Sequence, residues 1–129
     1  MKQPGAVFFE NAEAFESWLD ANGESADDIW IKIAKKSTGI PSLDWKHAVD
    51  VALCFGWIDS KGKRIDDTWF LLRFTPRRPA GNWSKRNRDR AEALIASGRM
   101  RPAGMAEIDR AKKDGRWDVA YELDADEKR

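Results

Sequence analysis

The amino-acid sequence predicts an α+β fold: a small antiparallel sheet of three or four strands, with about four helices packed mainly on one face. Two hydrophobic periods indicate this class. Apolar residues spaced by two, as in a strand, are Ile29, Ile31, Ile33, Phe70, Leu72 and Phe74. Apolar residues spaced by three or four, as along one side of a helix, are Trp45, Ala48, Val49, Ala52 and Leu53. Strand faces of this kind are expected to bury themselves against helix stripes.

Four helices are predicted from their end signals. Side chains placed to accept a hydrogen bond from a free N–H group at a helix start are Asn11, Ser42 and Ser84. Pro102 opens the fourth helix, because its fixed φ angle suits the first helical position. Glycines that follow the first three predicted helices are Gly23, Gly56 and Gly98.

Two turns are predicted between the second and third helices. Residues 57–65 resemble a hairpin whose turn is Lys61-Gly62. Asp66-Asp67 then turns the chain into the strand at 69–74, because aspartates in turns accept hydrogen bonds from nearby backbone N–H groups.

The composition indicates a globular protein without disulfides. The chain has 129 residues, 42% of them hydrophobic and 35% charged, so a single domain over 1–129 is expected, with a loose tail from about residue 122. Cys54 is its one cysteine and His47 its one histidine, which excludes a Cys/His metal site. No cofactor is expected. Since no signal peptide and no run of eighteen apolar residues occurs, we expect a cytoplasmic protein without a membrane span.

Charge is unevenly distributed along the chain. Residues 1–28 carry one lysine against seven acids, a net charge of −6. Residues 73–90 carry seven basic side chains against one aspartate, a net charge of +6. The asymmetry indicates either an anionic partner near the middle of the chain or mutual attraction of the two segments.

Four segments carry a resemblance to a known family. They are WKHAVDVALCFGWID at 45–59, RFTPRR at 73–78, NWSKRN at 82–87 and GRMRPAG at 98–104. The chain thereby resembles the YdeI/OmpD-associated family, also called bacteriocin-protection, over roughly residues 8–121. The resemblance implies a small bacterial domain associated with tolerance of bacteriocins or cationic peptides, and it implies no catalytic residues. Longer relatives continue into a helical segment rich in arginine and aromatic residues, which this sequence, ending at Arg129, is expected to lack.

His47 and Cys54 are the obvious candidates for a catalytic pair. They share a face of one predicted helix, but seven residues separate them by about 10 Å along its axis. A thiol and its base need hydrogen-bond contact, about 3 Å. The spacing therefore excludes a dyad and predicts a surface histidine and a buried, inert cysteine.

The strongest candidate site is the stretch from Arg73 to Arg90, together with aromatic residues near it. Arginine forks and a helix N-terminus both favour phosphate or carboxylate groups. The predicted ligand-binding residues are Asp59, Trp69, Arg73, Arg77, Arg78, Trp83, Ser84 and Asn87. Asp59 is expected to pair with Arg73 or Arg77. The bland alternatives are that Trp83 only packs against the third helix and that the basic residues form a solvated face.

These observations predict a binding or accessory domain with a basic-aromatic groove for a small anionic ligand. One alternative is an enzyme that uses Asp59 and the arginines on a phosphorylated or carboxylated substrate. Another is a protein-interaction domain that uses exposed tryptophan and arginine side chains. Nucleic acid is not an expected partner, because the net charge is only +1 and no nucleic-acid-binding motif occurs.

Overall fold

The structure of the chain, a computed structural model, describes residues 6–78, 81 and 83–119. It confirms the α+β class. The elements, in chain order, are β1 (Val7–Phe8), α1 (Ala12–Asn22), β2 (Ile29–Ala34), α2 (Trp45–Cys54), β3 (Trp57–Arg64), β4 (Trp69–Pro76), α3 (Lys85–Ala96) and α4 (Pro102–Lys113). The predicted loose tail lies outside the described residues.

The four strands form one sheet in the order β1-β2-β4-β3. The pairs β2–β4 and β4–β3 are antiparallel, as predicted, whereas β1 pairs with β2 in parallel. The parallel pair follows from the chain path, because α1 lies between the two strands and returns the chain to the same end of the sheet.

The sheet has an inner face that meets the helices and an outer face that does not. In the β2–β4 register, Ile29, Ile31 and Ile33 lie opposite Phe74, Leu72 and Phe70, so all six point to the inner face. The buried apolar side chains of all four helices join this face in one hydrophobic cluster. Outer-face residues of β2 and β4 are Trp30, Lys32, Trp69, Leu71 and Arg73.

The predicted turn at Lys61-Gly62 is wrong. β3 runs unbroken through Gly62, which lies opposite Leu72, and the strand has a bulge between Asp59 and Lys61. Pairing along the whole of β4 outweighs the local turn preference of a single Lys-Gly step.

The real turn between β3 and β4 is the predicted one at Asp66. Its carboxylate accepts hydrogen bonds from the backbone N–H groups of Thr68 at 2.8 Å and Trp69 at 2.9 Å. These two bonds hold the pKa of Asp66 below its ordinary value.

Two of the three predicted helix caps are confirmed. Asn11 and Ser84 cap α1 and α3. Asp44 caps α2 in place of Ser42, whose hydroxyl instead accepts a hydrogen bond from the backbone N–H of Ala34 at 3.1 Å. Ser42 therefore joins the start of α2 to the end of β2, a contact between segments that sequence spacing does not reveal.

Candidate functional site

The helices leave part of the inner face uncovered, and a cleft of about 670 Å³ opens there. Its floor includes Phe70 and Leu72 from β4. Trp45, in the first turn of α2, and Asn87, in the first turn of α3, form its helical side. We call this the inner cleft. Its volume lies in the range of small-molecule sites, about 300–1,000 Å³.

Basic side chains dominate the polar lining of the inner cleft. They are Lys35, Arg64 and Arg77, against the single acid Asp59. Lys61 and Lys63 also border the cleft, but the strand register points their side chains to the outer face. Three basic side chains beside one acid give the cleft a positive potential, which favours an anion.

Arg77 is the most enclosed of these bases, with 9% of its surface exposed. Its guanidinium carbon lies 3.9 Å from the ring centroid of Trp83, and its backbone N–H donates to the carbonyl oxygen of Gly56 at 2.9 Å. Trp83 is itself buried and makes an edge contact with Trp117, with ring centroids 4.9 Å apart. The guanidinium is therefore held in place by aromatic packing.

The start of α3 reaches the inner cleft through Ser84 and Asn87. The Ser84 hydroxyl is engaged as the helix cap, accepting from the backbone N–H of Asn87 at 3.1 Å. The positive end of the α3 dipole consequently faces the cleft and adds to the attraction for an anion.

A second cleft, of about 550 Å³, lies on the other side of β3. Three arginines, Arg73, Arg77 and Arg78, line it together with Asp27. We call this the outer cleft. Arg77 borders both clefts, because it directly follows the last residue of the internal strand β4.

Arg73 pairs with an aspartate other than Asp59. Its Nε donates to a carboxylate oxygen of Asp28 at 3.0 Å, so Arg73 is not the predicted partner of Asp59, and the Arg77 alternative stays a prediction. Asp59 lies on the inner face, opposite Phe74, while Arg73 points to the outer face. Asp28 lies just before β2, and the β2–β4 pairing brings it close to Arg73.

A family model described as a domain of unknown function, DUF8412, matches residues 7–107. The chain belongs to the DUF8412 family. No curated protein and no solved structure matches it. The matched region contains every residue that lines the two clefts.

The predicted site residues of this DUF8412 domain divide between two surfaces. The inner cleft contains Asp59, Arg77, Ser84 and Asn87, and the outer cleft contains Arg73, Arg77 and Arg78. Trp83 supports Arg77 from beneath, so it is no exposed anchor. Trp69 lies elsewhere on the outer face, in an edge contact with Phe8.

Sequence reasoning missed the apolar part of the inner cleft. Phe70 and Leu72 had the alternation of a buried strand, and Trp45 headed a helix stripe, so all three were assigned to the core. Both Trp45 and Phe70 are half-buried. Trp45 lies at the start of α2 and Phe70 near the start of β4, where helix and sheet no longer cover each other. This position is the signal that could have identified the two residues as part of a cleft.

His47 and Cys54 of the DUF8412 domain are placed as predicted. The exposed His47 ring lies 2.7 Å from an Asp44 carboxylate oxygen, and Cys54 is buried. Burial disfavours the charged form of Asp44, but the hydrogen bonds from His47 outweigh it and lower the pKa of that carboxyl. The pair caps α2 and lies outside both clefts.

Two classes of feature are absent from the described part of the domain. None of its helices combines the length and the apolar content that crossing a bilayer requires. Within the same residues, no three His, Cys, Asp or Glu side chains converge in a way that could hold a metal ion.

Proposed function

We propose that this DUF8412 domain binds a small amphiphilic anion, a carboxylate or phosphate ester with an apolar body, in the inner cleft. The observation that carries the proposal is that the enclosed Arg77 and an apolar floor containing Phe70 and Leu72 line one and the same cleft. An apolar pocket with a few convergent polar groups is the usual form of a small-molecule site.

The charge of the lining supports an anion in particular. Arg77 is held on Trp83, so little side-chain freedom is lost when its planar fork meets an oxyanion. Lys35 lines the same cleft and adds a second positive charge. The apolar floor in turn favours a ligand with a hydrophobic body over a bare inorganic ion.

The proposed biological role is that of a cytoplasmic binding or accessory domain. The resemblance to the YdeI/OmpD-associated family is the basis for proposing a link to bacteriocin or cationic-peptide tolerance. A cationic peptide is a poor fit for a cleft whose charged side chains are three bases and one acid. The link would therefore run through an anionic ligand rather than through direct capture of the peptide.

Thermal unfolding with inorganic phosphate and with phenyl phosphate tests the proposal. We expect phenyl phosphate to raise Tm with the logarithm of its concentration, and to bind about tenfold more tightly than phosphate, because the floor buries its ring. Lys35→Ser is expected to weaken phenyl phosphate binding by up to about tenfold, since it removes a charged partner.

Lys36→Ser is the matched control. Lys36 is adjacent, exposed and outside the lining of the cleft, so its replacement should leave the response unaltered. Equal Tm shifts from phosphate and phenyl phosphate, or equal effects of the two lysine variants, would contradict the proposal. Release of phenol during the titration would instead favour the enzyme alternative, with Asp59 and Arg77 acting on the ester.

A further inference from the structure

The outer face of the sheet carries aromatic and basic side chains side by side. In the strand register, Trp30, Arg73 and Lys61 form one row across three strands. The next row contains Phe8, Lys32, Leu71 and Lys63, across all four strands. Trp69 lies at the start of β4, with the Lys32 ammonium 4.4 Å from its ring centroid and Phe8 in edge contact at 5.6 Å.

No helix of the described chain contributes to this face. The buried residues of the four helices belong to the hydrophobic cluster that includes the inner-face isoleucines. Leu71 is 3% exposed, yet it lies outside that cluster. Phe8 remains 43% exposed, and Trp30 and Trp69 are half-buried.

Charge on the outer face is strongly biased. Its basic side chains, together with those of the adjoining outer cleft, are Lys32, Lys61, Lys63, Arg73, Arg77 and Arg78. Acids beside them are Asp28, which pairs with Arg73, Asp27 in the outer cleft, and Asp66, which lies near Lys32. The net charge of +1 for the whole chain conceals this segregation.

We propose that the outer face binds single-stranded nucleic acid. Its phosphates would lie along the basic side chains from Arg78 towards Lys32, and its bases would stack on Trp30, Trp69 and Phe8. A positive track with interleaved aromatic rings is the arrangement by which proteins hold single strands without sequence preference. The eight residues of β4 give this track a length of roughly 25 Å.

The chemistry of the face distinguishes this ligand from other polyanions. A duplex hides its bases, so it would leave the aromatic rings unused. Among residues 6–78, 81 and 83–119, no helix or ribbon projects from this face to enter a groove. An acidic peptide would satisfy the basic side chains but offers no stacked planar bases. The sequence disfavoured nucleic acid because the net charge is low and no nucleic-acid-binding motif occurs. The proposal departs from that expectation because the fold gathers basic side chains on one face.

Fluorescence anisotropy of a labelled oligo(dT) of about 12 nucleotides tests the proposal, within the site-size range of single-strand-binding folds. Phe8→Ser should weaken binding by about tenfold through lost stacking, with the salt dependence unaltered. Arg78→Ser should also weaken binding, and it should reduce the slope of log K against log salt by about 0.7, the value for one phosphate contact with a single strand.

Two matched variants on other surfaces serve as controls. Ile40→Ser removes a similarly exposed apolar side chain, 39% exposed, from the loop before α2. Arg99→Ser removes an exposed arginine between α3 and α4. Both should bind the oligonucleotide as the parent does, and circular dichroism checks that all four variants fold.

Four outcomes would overturn the proposal. The first is that oligo(dT) does not bind at about 50 mM salt, where phosphate contacts are strong. The second is that duplex DNA binds with equal affinity, and the third is that the control variants lose as much affinity as the test variants. The fourth is that poly-glutamate displaces oligo(dT) at equal charge. The last would assign the face to an acidic protein partner. Phe8→Ser and Arg78→Ser should still show the Tm increase with phenyl phosphate. The oligonucleotide proposal can then fail or succeed independently of the inner-cleft proposal.

Discussion

Cys54 shows how the environment of one residue sets its chemistry. It ends α2, where its side chain is buried. Burial, the largest influence, raises the pKa of its thiol to about 11. Only the thiolate is an efficient nucleophile, so we expect Cys54 to be inert at neutral pH.

Thiol labelling of native and urea-unfolded protein at pH 8 measures this inertness. We expect native labelling to be slower by about 100-fold or more, because two pH units separate the native pKa from the ordinary value of 9.0. The native rate should still rise about tenfold per pH unit up to pH 10, whereas the unfolded rate levels off near pH 9. Equal native and unfolded rates would show that the thiol is accessible and ionised.

The contact between α4 and the end of α2 depends on a residue without a side chain. The backbone N–H of Arg101 donates to the carbonyl oxygen of Cys54 at 3.0 Å. A Cβ atom on Gly104 would lie 2.5 Å from that oxygen and 2.7 Å from the carbonyl oxygen of Leu53. Gly104 therefore permits α4 to approach the α2 carbonyl groups more closely than any other residue would.

Gly104→Ala is expected to destabilise the protein despite its better helix propensity. Alanine in a helix gains about 1 kcal/mol over glycine, but the collision with two backbone carbonyl groups should cost about 1–3 kcal/mol beyond that gain. Ala106→Gly, at an exposed position of the same helix, should cost about 1 kcal/mol from propensity alone. Urea unfolding compares the two, and a Gly104→Ala protein more stable than the parent would refute the close approach.

Local signals predicted the elements well, and tertiary contacts account for the failures. Asn11, Ser84 and Pro102 marked helix starts correctly, because a cap acts within three residues of itself. Ser42 and the Lys61-Gly62 step misled, because their roles are set by β2 and β4, distant in sequence. The same limit applies to the candidate site, where Arg73 pairs with an aspartate 45 residues away.

At the scale of the whole molecule, the order of the strands in the sheet differs from their order in the sequence, because β4 lies between β2 and β3. β4 lies between β3, its hairpin partner, and β2, which is separated from it in sequence by α2 and β3. The sequence supplied the strands and their apolar faces, but the order depends on packing. It is this order that divides the predicted site residues between two faces of the sheet.

Hydrogen exchange should follow the same order. We expect the amides of β2 and β4 that are paired within the sheet to exchange most slowly, since both strands are flanked on each side. β1 consists of two residues at an edge, so its amides should exchange fastest of the four strands. NMR of the protein in D₂O reports each amide, and protection of β1 equal to that of β4 would contradict the expectation.

The support beneath Arg77 extends past the region that defines the family. Trp83 stands on Trp117, and Arg116 donates to the carbonyl oxygen of Gly81, whereas the family match ends at residue 107. The family match therefore ends about ten residues before Trp117, the residue that packs against Trp83. A fragment that ends at residue 107 would keep every cleft-lining residue, but it would lose Trp117 and so the packing that supports Trp83 beneath Arg77.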